Sequence, residues 1–273
     1  MEQLKILCVG DFHGKFPAKL KKIAKSCDLI LATGDYGGSP STMKIILKYF
    51  GKKWWDVIGK KRTRKLMKAD YDSGKNMLIE LSTLKKPVYC VMGNWDFYTD
   101  DAVSMAGKRK LYQDIVLDSN MSMLQEKFKR FKGIDVFGFG EQVPATLYTQ
   151  KKFSAPELLE SSRREHADVT KRLLKKGKKG IDIFLAHYPP YKIFDKIVSG
   201  KNNPNNGKHV GFKGYNDFMN AFNPRVFVCG HMHEHQGSET VGKTLVVATG
   251  AAKEGKAAVL HIDKKSVDVE FIQ

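Results

Sequence analysis

Short apolar runs recur along the chain, and most of them end at a glycine or proline beside a polar residue. Runs of this length, bounded by turn-forming residues, are typical of buried β-strands. They predict strands at residues 4–9, 28–32, 87–92, 134–139, 181–186 and 225–229. Three later runs, at residues 245–248, 257–262 and 267–272, predict the closing strands of a second, largely antiparallel sheet.

Apolar residues at helical spacing lie between these strands. They predict a short amphipathic helix over residues 16–26 and another helix around residues 218–222. A longer helix is predicted to begin with a capping box from Ser154 to Glu157 and with Pro156 in its first turn. His166 on this helix is predicted to face solvent. The residues predicted to form its buried side are Leu158, Leu159, Val169, Leu173 and Leu174.

Residues 39–86 interrupt this alternation and predict a helical cap inserted into a single domain that spans residues 1–273. Helices are predicted near residues 45–50 and through residues 77–81. Between them lie Trp54, Trp55 and a basic run at residues 60–65. We expect the two tryptophans to pack the insertion against the rest of the protein. Stacking on a nucleotide or a nucleic acid is the alternative for this aromatic and basic stretch.

The composition is that of a globular protein. The 273 residues are 42% hydrophobic and 28% charged, which is enough apolar material for a buried core. No apolar run approaches the roughly 20 residues that a membrane span requires, and the first residues lack the pattern of a secretory leader. The four cysteines are far apart, which favours reduced, buried thiols over disulfides or a zinc knuckle. Together these features predict a cytoplasmic protein.

The chain is strongly basic, with 47 Lys and Arg against 29 Asp and Glu and a formal net charge of +18. Such a charge attracts phosphate-bearing partners and permits contact with nucleic acid or with an anionic membrane surface. Exposed lysines that only keep helix surfaces in contact with water would account for the same excess of positive charge. The charge therefore leaves the partner open, and the sequence leaves the oligomeric state open as well.

Residues with oxygen or nitrogen donors follow one predicted strand after another. Asp11 and His13 stand in a glycine-bounded loop after the first strand, and glycine precedes Asp35 and Asn94 after the next two. Because such strand ends form open sites at one edge of a sheet, we expect these side chains to converge. The complete set of candidates is Asp11, His13, Asp35, Asn94, His187, His231 and His233.

This donor set fits two adjacent divalent ions that share a carboxylate. Mixed imidazole and carboxylate ligands favour Mn, Fe, Zn or Ni over Mg or Ca, with Mn as the ion for reconstitution in vitro. Two such ions about 3.5 Å apart generate a hydroxide in line with phosphorus and neutralise the phosphoryl oxygens. Asn94 suits this chemistry because its amide oxygen can bind a metal while its NH2 group donates to a phosphate oxygen.

The ordered series Gly-Asp-x-His, Gly-Asp, Gly-Asn, apolar strand plus His, and Gly-His-x-His resembles the calcineurin-like metallophosphoesterases over nearly the whole chain. The small prokaryotic single-domain members are similar in particular, because the run from Gly230 to Glu234 is followed by Gly237 and then by Gly242 to Val247. The resemblance implies an α/β fold, a four-layer αββα sandwich of two mixed sheets flanked by helices.

The resemblance also implies how the ligands divide between the metals, with Asp35 as the bridge. One metal would be bound by Asp11, His13, Asp35 and His233. The other would be bound by Asp35, Asn94, His187 and His231.

One position departs from the family pattern. Many members carry a histidine directly after the asparagine, where it protonates the leaving group, but this chain has Trp95. A general acid contributes about 10²–10⁴-fold, so the departure puts the substrate range in doubt. His209 is a candidate replacement donor. Asp96 is predicted to accept a hydrogen bond from a ligand histidine.

These features predict a two-metal phosphodiesterase that acts on a phosphodiester such as a cyclic nucleotide or a small nucleotide. A nuclease or a nucleic-acid-end phosphoesterase is the enzymatic alternative, favoured by the charge and by residues 54–65. The alternative from another class is a non-catalytic metal-binding scaffold for protein interaction. The intact ligand set argues against the scaffold.

Overall fold

The computed structural model describes residues 2–49, 53–140, 143–152, 154–198 and 205–273. The strands are β1 Leu4–Val9, β2 Leu29–Ala32, β3 Val88–Cys90, β4 Met121–Met123, β5 Lys127–Phe131, β6 Ile134–Phe139, β7 Ile183–Ala186, β8 Val226–Cys229, β9 Gln236–Val241, β10 Thr244–Thr249, β11 Ala257–Ile262 and β12 Val267–Ile272. The α-helices are α1 Ala18–Ser26, α2 Pro40–Lys48, α3 Trp54–Ile58, α4 Lys60–Ser82, α5 Asp100–Met105, α6 Tyr112–Leu117, α7 Pro156–Lys176 and α8 Lys213–Phe222. Two short 3₁₀ helices span Thr146–Thr149 and Ala252–Glu254.

The strands form two mixed six-stranded sheets. The order in the first sheet is β12-β11-β1-β2-β3-β4, and the order in the second is β5-β6-β7-β8-β10-β9. In the first sheet β1 to β4 are parallel, and β11 is antiparallel to β1. In the second sheet β6, β7, β8 and β10 are parallel. The carboxyl ends of these parallel strands are therefore the natural positions for a site built from loops.

Alternation along each strand assigns its side chains to two different cores. On β1, Ile6 and Cys8 point into the layer between the two sheets, whereas Leu7 and Val9 pack under helices on the outer face. A third cluster covers the outer face of the second sheet, where Phe184 packs near Leu173 of α7. The predicted αββα sandwich of two mixed sheets is confirmed by these layers.

Helix α4 connects the parallel strands β2 and β3 and packs Met77, Leu78 and Leu81 into the outer core of the first sheet. Trp54 is 8% exposed, as expected of a packing residue, whereas Trp55 is 37% exposed with its ring centre 5.8 Å from that of Trp54, and the packing role expected for it stays a prediction. The helix predicted over residues 45–50 corresponds to α2, although residue 50 lies outside the described part of the chain. The role of residues 39–86 as a cap within a single domain stays a prediction.

The closing strands do not form a separate antiparallel sheet. Instead β11 and β12 extend the first sheet beside β1, and β10 joins the second sheet parallel to β8. The prediction was wrong because the period of a strand indicates its faces but not its neighbours.

The start of α7 also differs from the prediction. Ala155 is the N-cap residue and no side chain caps it, because the Ser154 hydroxyl donates instead to the Tyr148 carbonyl at 2.7 Å. Leu158 is 50% exposed, so the buried side of α7 begins later than predicted. His166 is half-buried against the Phe212 ring at 4.8 Å rather than facing solvent.

All four cysteines are free and buried, as expected. Among the residues that the structure describes, no helix has both the length and the apolar character needed to cross a membrane.

Candidate metal centre

The structure brings all seven ligand candidates to the carboxyl ends of five parallel strands from the two sheets. Asp11 and His13 follow β1, Asp35 follows β2, and Asn94 follows β3. From the second sheet, His187 directly follows β7, and the pair His231 and His233 comes after β8. The site therefore lies where the edges of the two sheets face each other.

Four of the seven candidates have left-handed backbone conformations. The φ angles are 55° at Asp11, 45° at His13, 56° at Asp35 and 69° at His231. Aspartate and histidine adopt this region more readily than most residues, but each case still costs roughly 1–3 kcal/mol. Strain concentrated at these positions is typical of a functional site whose geometry the surrounding structure enforces.

Two of the glycines beside the candidates are required by close approach. A β-carbon at Gly93 would lie 2.2 Å from Asp35 Oδ1 and 2.7 Å from His187 Cε1. A β-carbon at Gly230 would lie 2.4 Å from Asp11 Oδ2. Side chains at either position would therefore displace a candidate ligand.

The first group of candidates is Asp11, His13, Asp35 and His233, whose ligand atoms all lie within 4.8 Å of one another. His233 Nε2 lies 3.0 Å from His13 Nε2 and 3.3 Å from Asp11 Oδ1. Donors bound about 2.1 Å from one ion at right angles or tetrahedral angles are themselves about 3.0–3.4 Å apart. The donor set and its spacing therefore fit a divalent cation.

The second group is joined through the amide oxygen of Asn94. Asn94 Oδ1 lies 2.9 Å from His187 Nε2 and 2.9 Å from His231 Nδ1. Asp35 belongs to both groups, because its Oδ1 is 3.5 Å from His187 Nε2 and its Oδ2 is 3.8 Å from His13 Nε2. One carboxylate thus presents a separate oxygen to each group. The division of ligand roles between two metals stays a prediction.

Backbone carbonyls orient two of the imidazoles. His187 Nδ1 lies 2.8 Å from the Thr33 carbonyl oxygen, and His13 Nδ1 lies 3.0 Å from that of Gly37. A carbonyl only accepts, so each Nδ1 carries the proton and each Nε2 presents a lone pair to the cluster. Neutral imidazoles held in this way are suited to bind a metal.

Burial dominates the protonation of the site. It lowers the pKa of His13 and of His231 to about 3, so both rings are neutral near pH 7. Burial and the adjacent Asp11 charge raise the pKa of Asp35 well above its usual value. The pKa of Asp11 is lowered, because its hydrogen bond with His233 and the nearby histidines outweigh its burial. Two negative charges buried side by side repel each other, and a cation bound between these carboxylates would neutralise them.

Asp96 does not accept a hydrogen bond from a ligand histidine in the bonds that the structure describes. Its carboxylate accepts the backbone N–H groups of Gly93 at 2.7 Å, Asp35 at 2.9 Å and Tyr36 at 2.8 Å. Burial and the Asp35 charge raise the pKa of Asp96 to about 7. Asp96 therefore ties the loop after β2 to the loop after β3, and any catalytic role for it stays a prediction.

Trp95 is half-buried beside the cluster, with its ring centre 6.2 Å from that of His13. Its backbone N–H donates to Asp35 Oδ1 at 2.9 Å. His209 lies in the segment between β7 and α8, where its Nδ1 is 2.5 Å from Oδ1 of the buried Asp195. Its role as proton donor stays a prediction.

Two residues next to the candidates were missed by the sequence analysis. Tyr188 is buried with its ring centre 4.0 Å from that of His231. Lys253 places Nζ 3.1 Å from His233 Nδ1. Lys253 follows β10 and Gly250, so the strand-then-glycine signal that marked the other candidates also marks this lysine.

Gly93→Ala is expected to weaken Mn²⁺ binding about 10–100-fold, because the added methyl group must displace Asp35 or His187. Gly237→Ala is the matched control, because Gly237, like Gly93, lies outside the positive-φ region, and a β-carbon there would meet only the edge of the Phe194 ring at 3.3 Å. Titration calorimetry with Mn²⁺ and urea unfolding of both variants provide the measurement. Equal metal affinity in the two variants would contradict the close approach at Gly93.

Comparison with known proteins agrees with this geometry. The family described as metallophosphoesterase, calcineurin superfamily, matches residues 1–272. An uncharacterized protein of Methanocaldococcus jannaschii is 26% identical over 250 residues, which cover 90% of this chain and 88% of the relative. The crystal structure of TT1561 of Thermus thermophilus superposes over 98% of both chains with a TM-score of 0.54 at 17% identity. Another crystal structure covers 99% of this chain and 100% of its own, with a TM-score of 0.65 at 20% identity. The family match over nearly the full length shows that this chain belongs to the calcineurin-like metallophosphoesterases.

Proposed function

We propose that the protein is a two-metal-dependent phosphodiesterase whose substrate is a cyclic nucleotide or another small nucleotide. The observation that carries this proposal is the position of Asp35, whose two oxygens face His13 on one side and His187 on the other. Mn, Fe, Zn or Ni suits the mixed donor set, and Mn is the ion for reconstitution. The four buried, free cysteines support a reducing, cytoplasmic environment for this activity.

When bound, the metals would activate water and neutralise charge on the phosphoryl oxygens. Side chains of this protein would position the substrate next to the metals. The NH2 group of Asn94 can donate to a phosphate oxygen while its Oδ1 faces the two histidines. The indole of Trp95 is half-buried next to His13 and partly covered by Gly38, and its remaining exposed surface can contact a nucleotide base. This surface supports a nucleotide ester as the substrate.

The direct test is reconstitution of the metal-free protein with Mn²⁺, followed by assays with an aryl phosphodiester and with cyclic nucleotides. We expect two Mn²⁺ per chain and turnover of the diester, and we expect Asp35→Asn to lose both because it removes the shared carboxylate charge. Two bound metals without turnover of any diester would favour the scaffold function over the enzyme.

His209 remains the proposed proton donor in place of the histidine that Trp95 replaces. The buried Asp195 accepts from His209 Nδ1, and its other oxygen is held by the N–H groups of Lys192 and Gly211, each at 2.9 Å. Asp195 thereby fixes the imidazole and leaves Nε2 for another partner. A carboxylate that orients a histidine in this way is typical of acid–base catalysis.

His209→Asn is expected to slow hydrolysis of diesters with alkyl leaving groups by about 100-fold and to leave activated aryl diesters nearly unchanged, because only the former need protonation. Trp95→His in the same background should restore part of the alkyl rate. Steady-state kinetics on matched alkyl and aryl substrates would show this difference. An equal loss on both classes would contradict a donor role.

An exposed basic surface favours a second candidate, hydrolysis of a nucleic-acid strand or its end. Residues 53–68, which carry this basic patch, include one acidic residue, Asp56, and the exposed Trp55. The exposed cations that define it are Lys53, Lys60, Lys61, Arg62, Arg64, Lys65 and Lys68.

The course of α4 sets the position of the basic patch relative to the candidate metal centre. At Asp70 the helix backbone packs against Gly37, whose carbonyl orients His13, and the Ser73 side chain packs against Gly14. Lys60 lies ten residues before Asp70, so α4 extends about 15 Å beyond this contact. A strand of several nucleotides that begins at the metals could therefore reach the patch.

Replacing Lys60, Lys61, Arg62 and Lys65 together with Gln is expected to weaken binding of a single-stranded oligonucleotide and to reduce the slope of log affinity against log salt by about 2–3. The matched control replaces Lys175, Lys176, Lys178 and Lys179, which lie at the amino end of β7, away from the metal centre. Fluorescence anisotropy at several salt concentrations measures both. Small-diester turnover should be the same in both variants, and equal slopes would reject the patch as a specific surface.

A further inference from the structure

Lys253 is attached to the candidate metal centre through its backbone and through its side chain. It lies in the 3₁₀ turn after β10, where the Ala252 N–H donates to the Gly10 carbonyl at 2.8 Å and the Lys253 N–H to that of Asp11 at 3.4 Å. Its ammonium group lies 3.1 Å from His233 Nδ1. The turn is therefore hydrogen-bonded to the loop that carries Asp11.

The ammonium of Lys253 has no carboxylate within 4.0 Å in the part of the chain that the structure describes, and its hydrogen bond there is to an imidazole. Lys256 in the same turn region is different, because it pairs with Glu254 at 2.8 Å. Lys253 is also half-buried. A partly desolvated cation that no carboxylate neutralises retains most of its attraction for an anion.

The contact between Lys253 and His233 fits only one tautomer of the ring. An ammonium group donates three hydrogen bonds and accepts none, so Nδ1 must accept and the ring proton must lie on Nε2. That proton can be donated towards Asp11 Oδ1 at 3.3 Å. Yet Nε2 is the atom that faces His13 and Asp11, and it is the atom with which His233 would bind a metal.

Metal binding and the lysine contact are therefore mutually exclusive. With a cation on Nε2, the neutral ring carries its proton on Nδ1, and two donors would then face each other at 3.1 Å. The Lys253 ammonium must leave this position and find an acceptor elsewhere. Two divalent cations carry twice the charge of Asp11 and Asp35, so the loaded site is cationic and attracts a phosphate anion.

We propose that Lys253 binds a non-bridging phosphate oxygen of the substrate and that it becomes free to do so when His233 binds metal. This inference rests on the proposed phosphoesterase function and adds a substrate-binding cation to it. The lysine is positioned on the His233 side of the cluster, opposite the group formed by Asn94, His187 and His231. The substrate phosphate would thus be held from both ends of the site.

The test compares Lys253→Met, Lys253→Arg and the control Lys256→Met, each loaded with Mn²⁺. Titration calorimetry with inorganic phosphate should show at least about 10-fold weaker binding for Lys253→Met, since a charge-assisted hydrogen bond is lost. Lys253→Arg should retain most of the phosphate affinity because it keeps the charge, and Lys256→Met should match the unmodified protein. KM for an aryl phosphodiester should rise in Lys253→Met more than kcat falls.

Mn²⁺ affinity is the second readout, and it separates substrate binding from a merely structural role. Lys253→Met should bind Mn²⁺ as tightly as the unmodified protein or more tightly, because the lysine contact no longer competes for His233. Unchanged phosphate affinity, or a parallel loss of metal and phosphate binding, would overturn the inference. Binding of metal and phosphate without hydrolysis of any diester would reject the proposed activity while leaving the result for Lys253 valid.

Discussion

The burial of Asp11 and Asp35 beside each other is the constraint on which the site depends. Desolvation and mutual repulsion both disfavour two charged carboxylates, and the raised pKa of Asp35 reflects this. The backbone offsets part of the cost, because the His231 N–H donates to both Asp11 oxygens at 3.1 and 3.0 Å and the Trp95 N–H donates to Asp35. The remaining electrostatic cost of burying two adjacent carboxylates explains why this donor set is suited to bind cations.

Much of the fold could be predicted because each strand is short, apolar and bounded by turn residues. The bounds of β1, β6, β11 and β12 match the predicted ranges. The edge strands β4, β5 and β9 were missed, since polar or exposed side chains on an edge strand weaken the apolar signal. The partners of the closing strands could not be predicted either, because pairing is decided by packing between distant segments.

The ligand candidates could be recognised because each of them follows a strand end, in most cases with a glycine beside it. The partners of Asp96 could not be predicted, because it accepts three N–H groups from loops that the sequence does not show to be adjacent. The exposure of Trp55 and the half-burial of His166 likewise depend on which helix face meets a neighbour. The local sequence pattern therefore identifies the residues that could bind a metal, whereas the residues that hold them in place can be identified only from the folded structure.

Strand β1 lies in the interior of the first sheet with very different neighbours. Its partner β2 is nearby in sequence, as in the pair Ile6 and Leu29, whereas its partner β11 comes from the far end, as in the pair Leu4 and Ile262. Closing so long a loop is slow, so β1 to β4 can assemble before β11 arrives. During that interval β1 presents an unpaired, apolar edge that a second chain can occupy. Aggregation during refolding is therefore the expected hazard of this strand order.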